Sequence, residues 1–258
     1  MKGKVYLVGG GPGDPELLTL KAAKILAQAN IVLHDALVSP EVLALADAGA
    51  KRIDVGKRCG RKLLTQEEIN ALLVSYANSH RVVVRLKGGD PLLFGRAGEE
   101  IAALRQACVE FEIVPGITAG FGAAAAAGFS LTDRRVASQV LFTTIQRDTE
   151  NRSIQWGGIS STTTLVIYMP GTDYARVMQQ LRDAGWPDDM PCAIVSHASG
   201  KDQAIRSTVL AKLSDEGALP APAIMVVGRV VAEVADEIGR EFRIGSESAE
   251  RTPPPMVI

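Results

Sequence analysis

Residues 8–15 read VGGGPGDP and follow a short apolar run at residues 4–8. A glycine-rich loop between a strand and a helix is where α/β proteins bind nucleotides, outside the carboxyl ends of parallel strands. A dinucleotide fingerprint starting at Gly9 would require glycine where Asp14 stands, and two prolines remove backbone donors from the loop. A ligand-free turn remains open, as does an NAD site in which Asp35 binds the ribose.

A second loop of the same kind occupies residues 85–96, which read RLKGGDPLLFGR. Gly88 and Gly89 would let a ligand reach the backbone, and Asp90 would present a carboxylate at a strand end. The chain has no GxxxxGK[ST] phosphate loop, which argues against a nucleoside triphosphatase. The two loops together predict a site for a nucleoside that carries no polyphosphate.

Around these loops, β-branched runs alternate with helix-length amphipathic segments, a pattern typical of βαβ units around a parallel sheet. The fold class is therefore α/β. In the first half we expect strands at 4–8, 31–34, 52–55, 81–86 and 111–114, and helices at 17–29, from Thr65 to about Asn78, and after residue 96. Thr65 with Glu68 is a capping-box signature. In the second half we expect strands at 139–145, 163–168, 192–196, 205–208 and 224–227, and a helix at 174–184.

The predicted domain boundary lies near residues 131–138, where the chain turns polar and basic. This gives an N-terminal α/β domain at 1–133, a C-terminal α/β domain at 134–243 and a disordered polar tail at 244–258. Residues 117–128 are nearly all alanine, glycine and threonine. They indicate a helix that either packs tightly or lets a flat ligand approach.

Composition excludes several classes of protein. The chain has 258 residues, a formal net charge of −1, three cysteines without a CxxC pair and three histidines without HExxH. These features predict no metal site, no disulfide framework and no nucleic-acid partner. The absence of a secretion signal and of long apolar runs predicts a soluble cytoplasmic protein that does not bind a membrane.

Eight ordered blocks of the sequence resemble the tetrapyrrole methylase superfamily, and within it the precorrin methyltransferase family. The blocks are VGGGPGDP, HDALVS, VGKRCGR, TQEEIN, RLKGGDPLLFGR, VPGITA, LTDR and PAIMVVGRVV. The resemblance covers residues 3 to about 240, and the long block at 85–96 is its most specific part. It implies a homodimer in which two α/β domains form a cleft that holds the active site.

The resemblance also implies an activity and its cofactor. Methyl groups would pass from S-adenosylmethionine, which becomes S-adenosylhomocysteine, to carbons 2 and 7 of uroporphyrinogen III. The product, formed through precorrin-1, would be precorrin-2, which feeds sirohaem, cobalamin or related pathways. The implied cofactor contacts, largely through the backbone, are Pro12, Gly88, Gly89, Asp90, Leu93, Thr118, Ala119, Met169, Ala198 and Ala223.

The implied chemistry needs a proton acceptor and cationic groups for a polycarboxylate substrate. The family match marks Asp35 as the proton acceptor, Lys57 as a possible donor, and Arg96 with Glu99 as a charged pair near the substrate. Basic residues cluster at 57–62, where four of six positions are lysine or arginine, and again at residues 134–135. The expected substrate contacts are Lys57, Arg61, Arg96 and Arg134.

Three sites in the sequence depart from the family pattern. Asp133 stands where relatives usually carry histidine, Ala97 replaces a glycine, and residues 144–146 replace Thr-Gly-His. Three other functions remain open at this point: a later precorrin methyltransferase, an NAD-dependent oxidoreductase and a regulatory nucleotide-binding module.

Overall fold

The computed structural model describes residues 3–58, 61–62, 64–145, 156–215 and 217–232. Contacts divide the chain into two compact units. The first contains residues up to Ala126 together with Val195–Ala204 and Leu219–Ile224, and the second contains the remainder. The domain limits expected from the sequence stay a prediction, and the expected tail at 244–258 lies outside the described residues.

The strands and helices are numbered here in chain order. The strands are β1 Lys4–Gly9, β2 Ile31–His34, β3 Lys51–Asp54, β4 Lys57–Arg58, β5 Arg61–Lys62, β6 Val82–Lys87, β7 Glu110–Val114, β8 Gln139–Thr144, β9 Thr163–Tyr168, β10 Pro191–Ser196, β11 Ala204–Val209 and β12 Ala223–Val227. The helices are α1 Leu20–Leu26, α2 Pro40–Ala44, α3 Gln66–Ala77, α4 Ala97–Gln106, α5 Ala119–Ala127 and α6 Tyr174–Asp183.

The first unit is built on a sheet with strand order β3-β2-β6-β1-β7. Every pair of neighbours in this sheet is parallel, as the alternating pattern predicted. Because β1 and β6 are neighbours, with Gly9 opposite Lys87, the two glycine-rich loops leave the same edge of the sheet side by side.

Helices cover both faces of this sheet, which explains why its strands are apolar runs. On one face Leu7 and Val83 pack with Leu73 of α3 and Leu104 of α4, all fully buried. On the other face the partners of the strands include Ala22 and Leu26 of α1 and Val42 of α2. The predicted capping box of α3 is confirmed, with Thr65 and Glu68 each bonding the backbone of the other.

The helix expected at 17–29 is wrong at both ends. Residues 15–17 form a 3-10 turn, Leu18 is extended, and α1 begins only after Thr19, whose hydroxyl accepts a hydrogen bond from the Ala22 N–H. The helix therefore begins after its capping residue, and not where the run of apolar residues begins. The short helix α2 and the antiparallel β4-β5 pair were not predicted.

The second sheet has strand order β11-β10-β12-β9-β8, and β8 and β9 are parallel. Strands β9 and β10 are buried at every position, and α6 buries Tyr174, Val177 and Leu181 along one side. Within the described ranges, every helix is too short or too polar to cross a membrane.

Candidate active site

Three loops meet at the carboxyl edge of the first sheet through glycine backbones. Gly11 and Gly89 exchange two backbone hydrogen bonds, of 3.2 Å and 2.7 Å, and both have positive φ angles, +70° and +68°. A Cβ on Gly9 would lie 2.6 Å from the Cα of Gly116, and a Cβ on Gly116 would collide with the Gly89 carbonyl. Glycine is therefore required where the loops after β1, β6 and β7 touch.

Asp90 ties two of these loops together. One carboxylate oxygen accepts a hydrogen bond from the Leu92 N–H at 2.8 Å, and the other accepts from the Gly116 N–H at 3.0 Å. Both bonds have a charged acceptor and are stronger than neutral ones. Asp90 thus fixes the loop after β6 against the loop after β7, a positioning role that the sequence did not reveal.

A cavity of about 760 Å³ lies beside the first loop, within the first unit. Its wall includes Pro12 and the segments 36–41, 197–202 and 221–222. The volume falls in the range of about 300–1,000 Å³ that is usual for small-molecule sites. Pro12 packs on Gly122 of α5, where a Cβ would lie 2.7 Å from the proline Cβ.

A second cleft, of about 330 Å³, lies on the α3 and α4 side of the same sheet edge. It is lined by Asp35, Arg85, Lys87, Arg96 and other residues. Asp35 follows β2, and its carboxylate is paired with the guanidinium of Arg85 on the neighbouring strand β6. The carboxylate is 28% exposed, so it is partly open to a ligand in the cleft.

The Asp35 carboxylate is linked through Arg85 to a buried cluster of charged side chains. Arg85 Nε donates to Glu100 Oε1 at 2.9 Å, and Lys87 Nζ donates to the two oxygens of Glu100 at 3.0 Å and 3.2 Å. The side chains of Arg85 and Lys87 are 3% exposed and that of Glu100 is 0% exposed. Buried charges of this kind are tolerated only when they are paired and hydrogen-bonded.

The pKa directions follow from these contacts. Burial opposes the charged form of Arg85, but the nearby carboxylates of Asp35 and Glu100 outweigh it, and the pKa of Arg85 is raised. The pKa of Lys87 is lowered, first by burial and then by the Arg85 cation, although Glu100 acts in the opposite direction. Lys87 is therefore the more easily neutralised of the two cations.

Arg96 and Glu99 form the charged pair that the family match suggested. Arg96 Nε and Nη2 donate to the two oxygens of Glu99 at 2.7 Å and 2.8 Å, a bidentate arrangement. Both side chains are about half exposed, and Arg96 adopts a left-handed φ of 56° at the start of α4. Arg96 also lines the Asp35 cleft.

The expected site residues fall in different parts of the structure. Most belong to the first unit, whereas Met169, with a positive φ of 50°, and the exposed Arg134 belong to the second. The first-unit set comprises Pro12, Asp35, Gly88, Gly89, Asp90, Leu93, Arg96, Glu99, Thr118, Ala119, Ala198 and Ala223. The backbones of Lys57 and Arg61 lie in the β4-β5 pair, and their side chains are outside the described part of the chain.

Two of the departures from the family pattern have a structural explanation. The guanidinium of Arg135 binds the Asp133 carboxylate at 2.8 Å and 3.0 Å and, with a backbone bond, lowers the pKa of Asp133 to about 2. The Asp133 charge is thus locally balanced. Ala97 is not among the residues with positive φ, so alanine adopts its backbone without strain. Gln146 lies outside the described residues.

The sequence reasoning missed Arg85, Lys87 and Glu100 as site residues. A signal was present, because residues 82–87 read VVVRLK, with two charges at alternate positions of an apolar strand. Alternate residues share a face, so both charges point to the side of α3 and α4. Two cations on one buried face require an anion nearby, but the sequence alone did not say which helix supplies it.

An all-parallel sheet with interlocked glycine loops and an ionic cleft at its carboxyl edge defines a ligand-binding α/β protein. The sequence model of the family Tetrapyrrole (Corrin/Porphyrin) Methylases matches residues 4–214. The chain belongs to this family of methylases.

Individual relatives agree with the family match. The chain is 44% identical over 239 residues to a uroporphyrinogen-III C-methyltransferase of Paracoccus denitrificans, covering 91% of the chain and 83% of the relative. It is also 44% identical to siroheme synthase 1 of Yersinia enterocolitica, covering 89% of the chain and 49% of the relative. The chain thus spans about half the length of the siroheme synthases that it matches.

A solved structure is similar over most of the chain. It is the uroporphyrin-III C-methyl transferase of Thermus thermophilus complexed with S-adenyl homocysteine, with a TM-score of 0.79 and 36% identity. The match covers 90% of this chain and 100% of that one. The α/β fold class predicted from the sequence is confirmed.

Proposed function

We propose that the protein transfers methyl groups from S-adenosylmethionine to carbons 2 and 7 of uroporphyrinogen III, giving precorrin-2 through precorrin-1. The main support is the edge of the first sheet, where glycine loops suited to a nucleoside adjoin a cleft with a partly exposed Asp35 carboxylate. The names of the relatives from Paracoccus and Thermus support the same reaction. The product would feed sirohaem, cobalamin or related modified tetrapyrroles.

The glycine loops place the residues proposed to hold S-adenosylmethionine close together. Gly9 and Gly116 let the backbones of three loops touch at a point where a Cβ would collide with neighbouring backbone atoms, so the segments around Pro12, Gly89 and Thr118 lie side by side. The cofactor supplies a methyl group activated by a positively charged sulfur. The residues proposed to hold it are Pro12, Gly88, Gly89, Asp90, Leu93, Thr118, Ala119, Met169, Ala198 and Ala223.

Asp35 and Arg96, which line one cleft, would act on the substrate together with basic residues elsewhere in the chain. The cofactor would supply the methyl group to a ring carbon and leave as the neutral thioether, and the methylated ring would then give up one proton. Asp35 would take up this proton. Lys57, Arg61, Arg96 and Arg134 would bind the carboxylates, with Glu99 orienting Arg96 and Lys57 also acting as a donor.

A methylation assay tests the proposal directly. Purified protein with S-adenosylmethionine and uroporphyrinogen III under anaerobic conditions should yield products heavier by one and then two methyl groups in mass spectrometry. A second candidate is a later precorrin methyltransferase, because a cobalt precorrin-4 methyltransferase matches at 29% identity with a TM-score of 0.75. Methylation of a later precorrin but not of uroporphyrinogen III would favour that candidate.

Titration calorimetry separates a methyltransferase from the remaining functions. We expect binding of S-adenosylhomocysteine and no binding of NAD, and the reverse result would favour an oxidoreductase. A regulatory module would bind the nucleoside without turnover. We also propose that the protein is cytoplasmic and forms a homodimer. Light scattering on the purified protein would test the dimer.

Asp90→Ala should raise the Kd for S-adenosylhomocysteine more than about tenfold, a loss of about 1.4 kcal/mol. The substitution removes both hydrogen bonds that fix the loop after β6, including the bond from the Gly116 N–H. Calorimetry measures the change. Asp47→Ala is the matched control, since Asp47 accepts a similar bond from the Gly49 N–H in an exposed turn. Equal Kd values for wild type and Asp90→Ala would remove Asp90 from the site.

Lys57→Ala should lower kcat by about tenfold or more, because the ammonium group is proposed both to bind a substrate carboxylate and to donate a proton. Affinity for the cofactor should be unchanged, because Lys57 is proposed to act on the substrate. Lys212→Ala, beside the second sheet, serves as a control for the loss of one lysine. Turnover at the wild-type rate would reduce Lys57 to a member of the basic cluster.

A further inference from the structure

Glu100 is a fully buried carboxylate in α4 that the proposed chemistry does not use. It is 0% exposed, and its oxygens accept hydrogen bonds from Arg85 Nε and Lys87 Nζ. Gln66 Nε2 approaches Oε1 at 3.5 Å, a weak contact. A carboxylate that only stabilised the fold could be replaced by an apolar side chain together with its partner. The geometry of Arg85 indicates a more specific role.

The Arg85 guanidinium is held on all of its nitrogens. Nε donates to Glu100, Nη1 donates to the carbonyls of Leu33 and Leu86 at 3.4 Å and 3.3 Å, and Nη2 donates to Asp35 Oδ1. Because the group is planar and rigid, turning it at one nitrogen turns it at the others. Among the acceptors of Arg85 other than Asp35, Glu100 binds it most strongly, since the bonds to the two carbonyls are long and their acceptors are uncharged.

Asp35 depends on this arrangement for its orientation. Only Oδ1 has a partner among the described residues, which leaves Oδ2 for the cleft. The charges of the cluster also balance, with Asp35 and Glu100 facing Arg85 and Lys87. If Glu100 were lost, Arg85 would lack its charged acceptor at Nε, and Lys87 would lose the carboxylate that it binds.

We propose that Glu100 is a positioning residue: it holds the Arg85 guanidinium so that the Asp35 carboxylate faces the substrate. This inference rests on the proposed function, in which Asp35 takes up the proton released after methyl transfer. Glu100 is fully buried and bonds Arg85, so its effect on Asp35 would pass through Arg85.

Two double variants test whether the effect depends on an oxygen atom at position 100 that accepts a hydrogen bond from Arg85 Nε. Glu100→Gln with Lys87→Met keeps a carbonyl oxygen for Arg85 Nε, whereas Glu100→Leu with Lys87→Met removes it. Both remove one buried anion and one buried cation, so their net charge is the same and both are expected to fold. If the leucine variant does not fold, Glu100→Met replaces it in the same comparison.

We expect kcat of the leucine variant to lie about tenfold or more below that of the glutamine variant, because a small displacement of a reacting group is costly. The KM for uroporphyrinogen III and the Kd for S-adenosylhomocysteine should stay within about twofold. Equal kcat values would overturn the proposal, as would a difference confined to Kd. Glu110→Gln, an exposed carboxylate paired with Lys4, is the control and should behave as wild type.

A cycle with Asp35→Asn tests whether the effect passes through Asp35. With asparagine at position 35, the ratio of kcat values for the two double variants should fall to about one, because residues that act as a unit are not additive. A ratio that stays near tenfold would mean that Glu100 acts by another route, and the proposal would be wrong.

Crystal structures of the same variants give a readout that does not need turnover. The bond from Arg85 Nη2 to Asp35 should persist in the glutamine variant and lengthen beyond about 3.5 Å in the leucine variant. If the wild type does not methylate uroporphyrinogen III, the proposed function fails, and these structures alone decide whether Glu100 positions Asp35. An unchanged Arg85–Asp35 pair in the leucine variant would refute that role.

Discussion

Asp35→Asn is expected to lower kcat for methylation of uroporphyrinogen III by about a hundredfold or more, within the range found for the loss of a general base. Asparagine keeps the size of the side chain and an oxygen that can accept from Arg85 Nη2, so the local packing is preserved. The amide cannot take up the proton that the ring releases. The effect should therefore fall on the chemical step, and single-turnover mass spectrometry would measure it.

The Asp35→Asn variant should still bind S-adenosylhomocysteine with a Kd within about twofold of wild type, because Asp35 faces the ionic cleft and not the glycine loops. Asp183→Asn is a suitable control, since its exposed carboxylate accepts a hydrogen bond from Gln179 in α6. Turnover near the wild-type rate in Asp35→Asn would exclude Asp35 as the proton acceptor and leave it as a partner of Arg85.

Much of the first sheet could be predicted because parallel strands are buried and read as apolar runs. In the first sheet β2 matches the predicted limits at both ends, and in the second sheet β9 does so. The capping box of α3 was visible because two side chains at fixed spacing make reciprocal bonds with the backbone. In each of these cases the structure is determined by interactions between residues close in sequence or by a regular spacing of apolar residues.

The predicted start of α1 was wrong because two local signals conflict there. Leu18 fits the apolar stripe of a longer helix and remains partly buried, but the cap at Thr19 leaves it outside the helix. Capping decides where a helix begins, and an apolar stripe decides only which side is buried.

The ionic cluster could not be predicted because it joins residues that are far apart in sequence. Asp35 and Arg85 are 50 positions apart, and Arg85 and Glu100 are 15 apart. The family match had singled out Arg96 and Glu99, a surface pair at short spacing, while the buried neighbour of Glu99 is the residue that contacts Arg85. Only the packing of α4 on β6 distinguishes the two glutamates.

Gly116→Ala is expected to weaken S-adenosylhomocysteine binding by about a hundredfold or more, which corresponds to about 2.7 kcal/mol. The new Cβ would collide with the Gly89 carbonyl and lie 2.8 Å from the Cα of Gly9. These are backbone atoms, so the loops after β1 and β6 must separate from the loop after β7. The same collision should lower the free energy of unfolding by about 1–3 kcal/mol, the usual cost of overpacking. Calorimetry and urea denaturation measure the two effects.

Gly98→Ala is the matched control because a Cβ there meets nothing within 4 Å, and Gly98 lies in α4 without a positive φ. Alanine is a better helix former than glycine, so this variant should gain about 0.5–1 kcal/mol in stability. Its affinity for the ligand should be unchanged. If Gly116→Ala bound S-adenosylhomocysteine as tightly as Gly98→Ala does, the contact of the three glycine loops would not form the cofactor site, and the cavity beside Pro12 would have to hold the ligand without them.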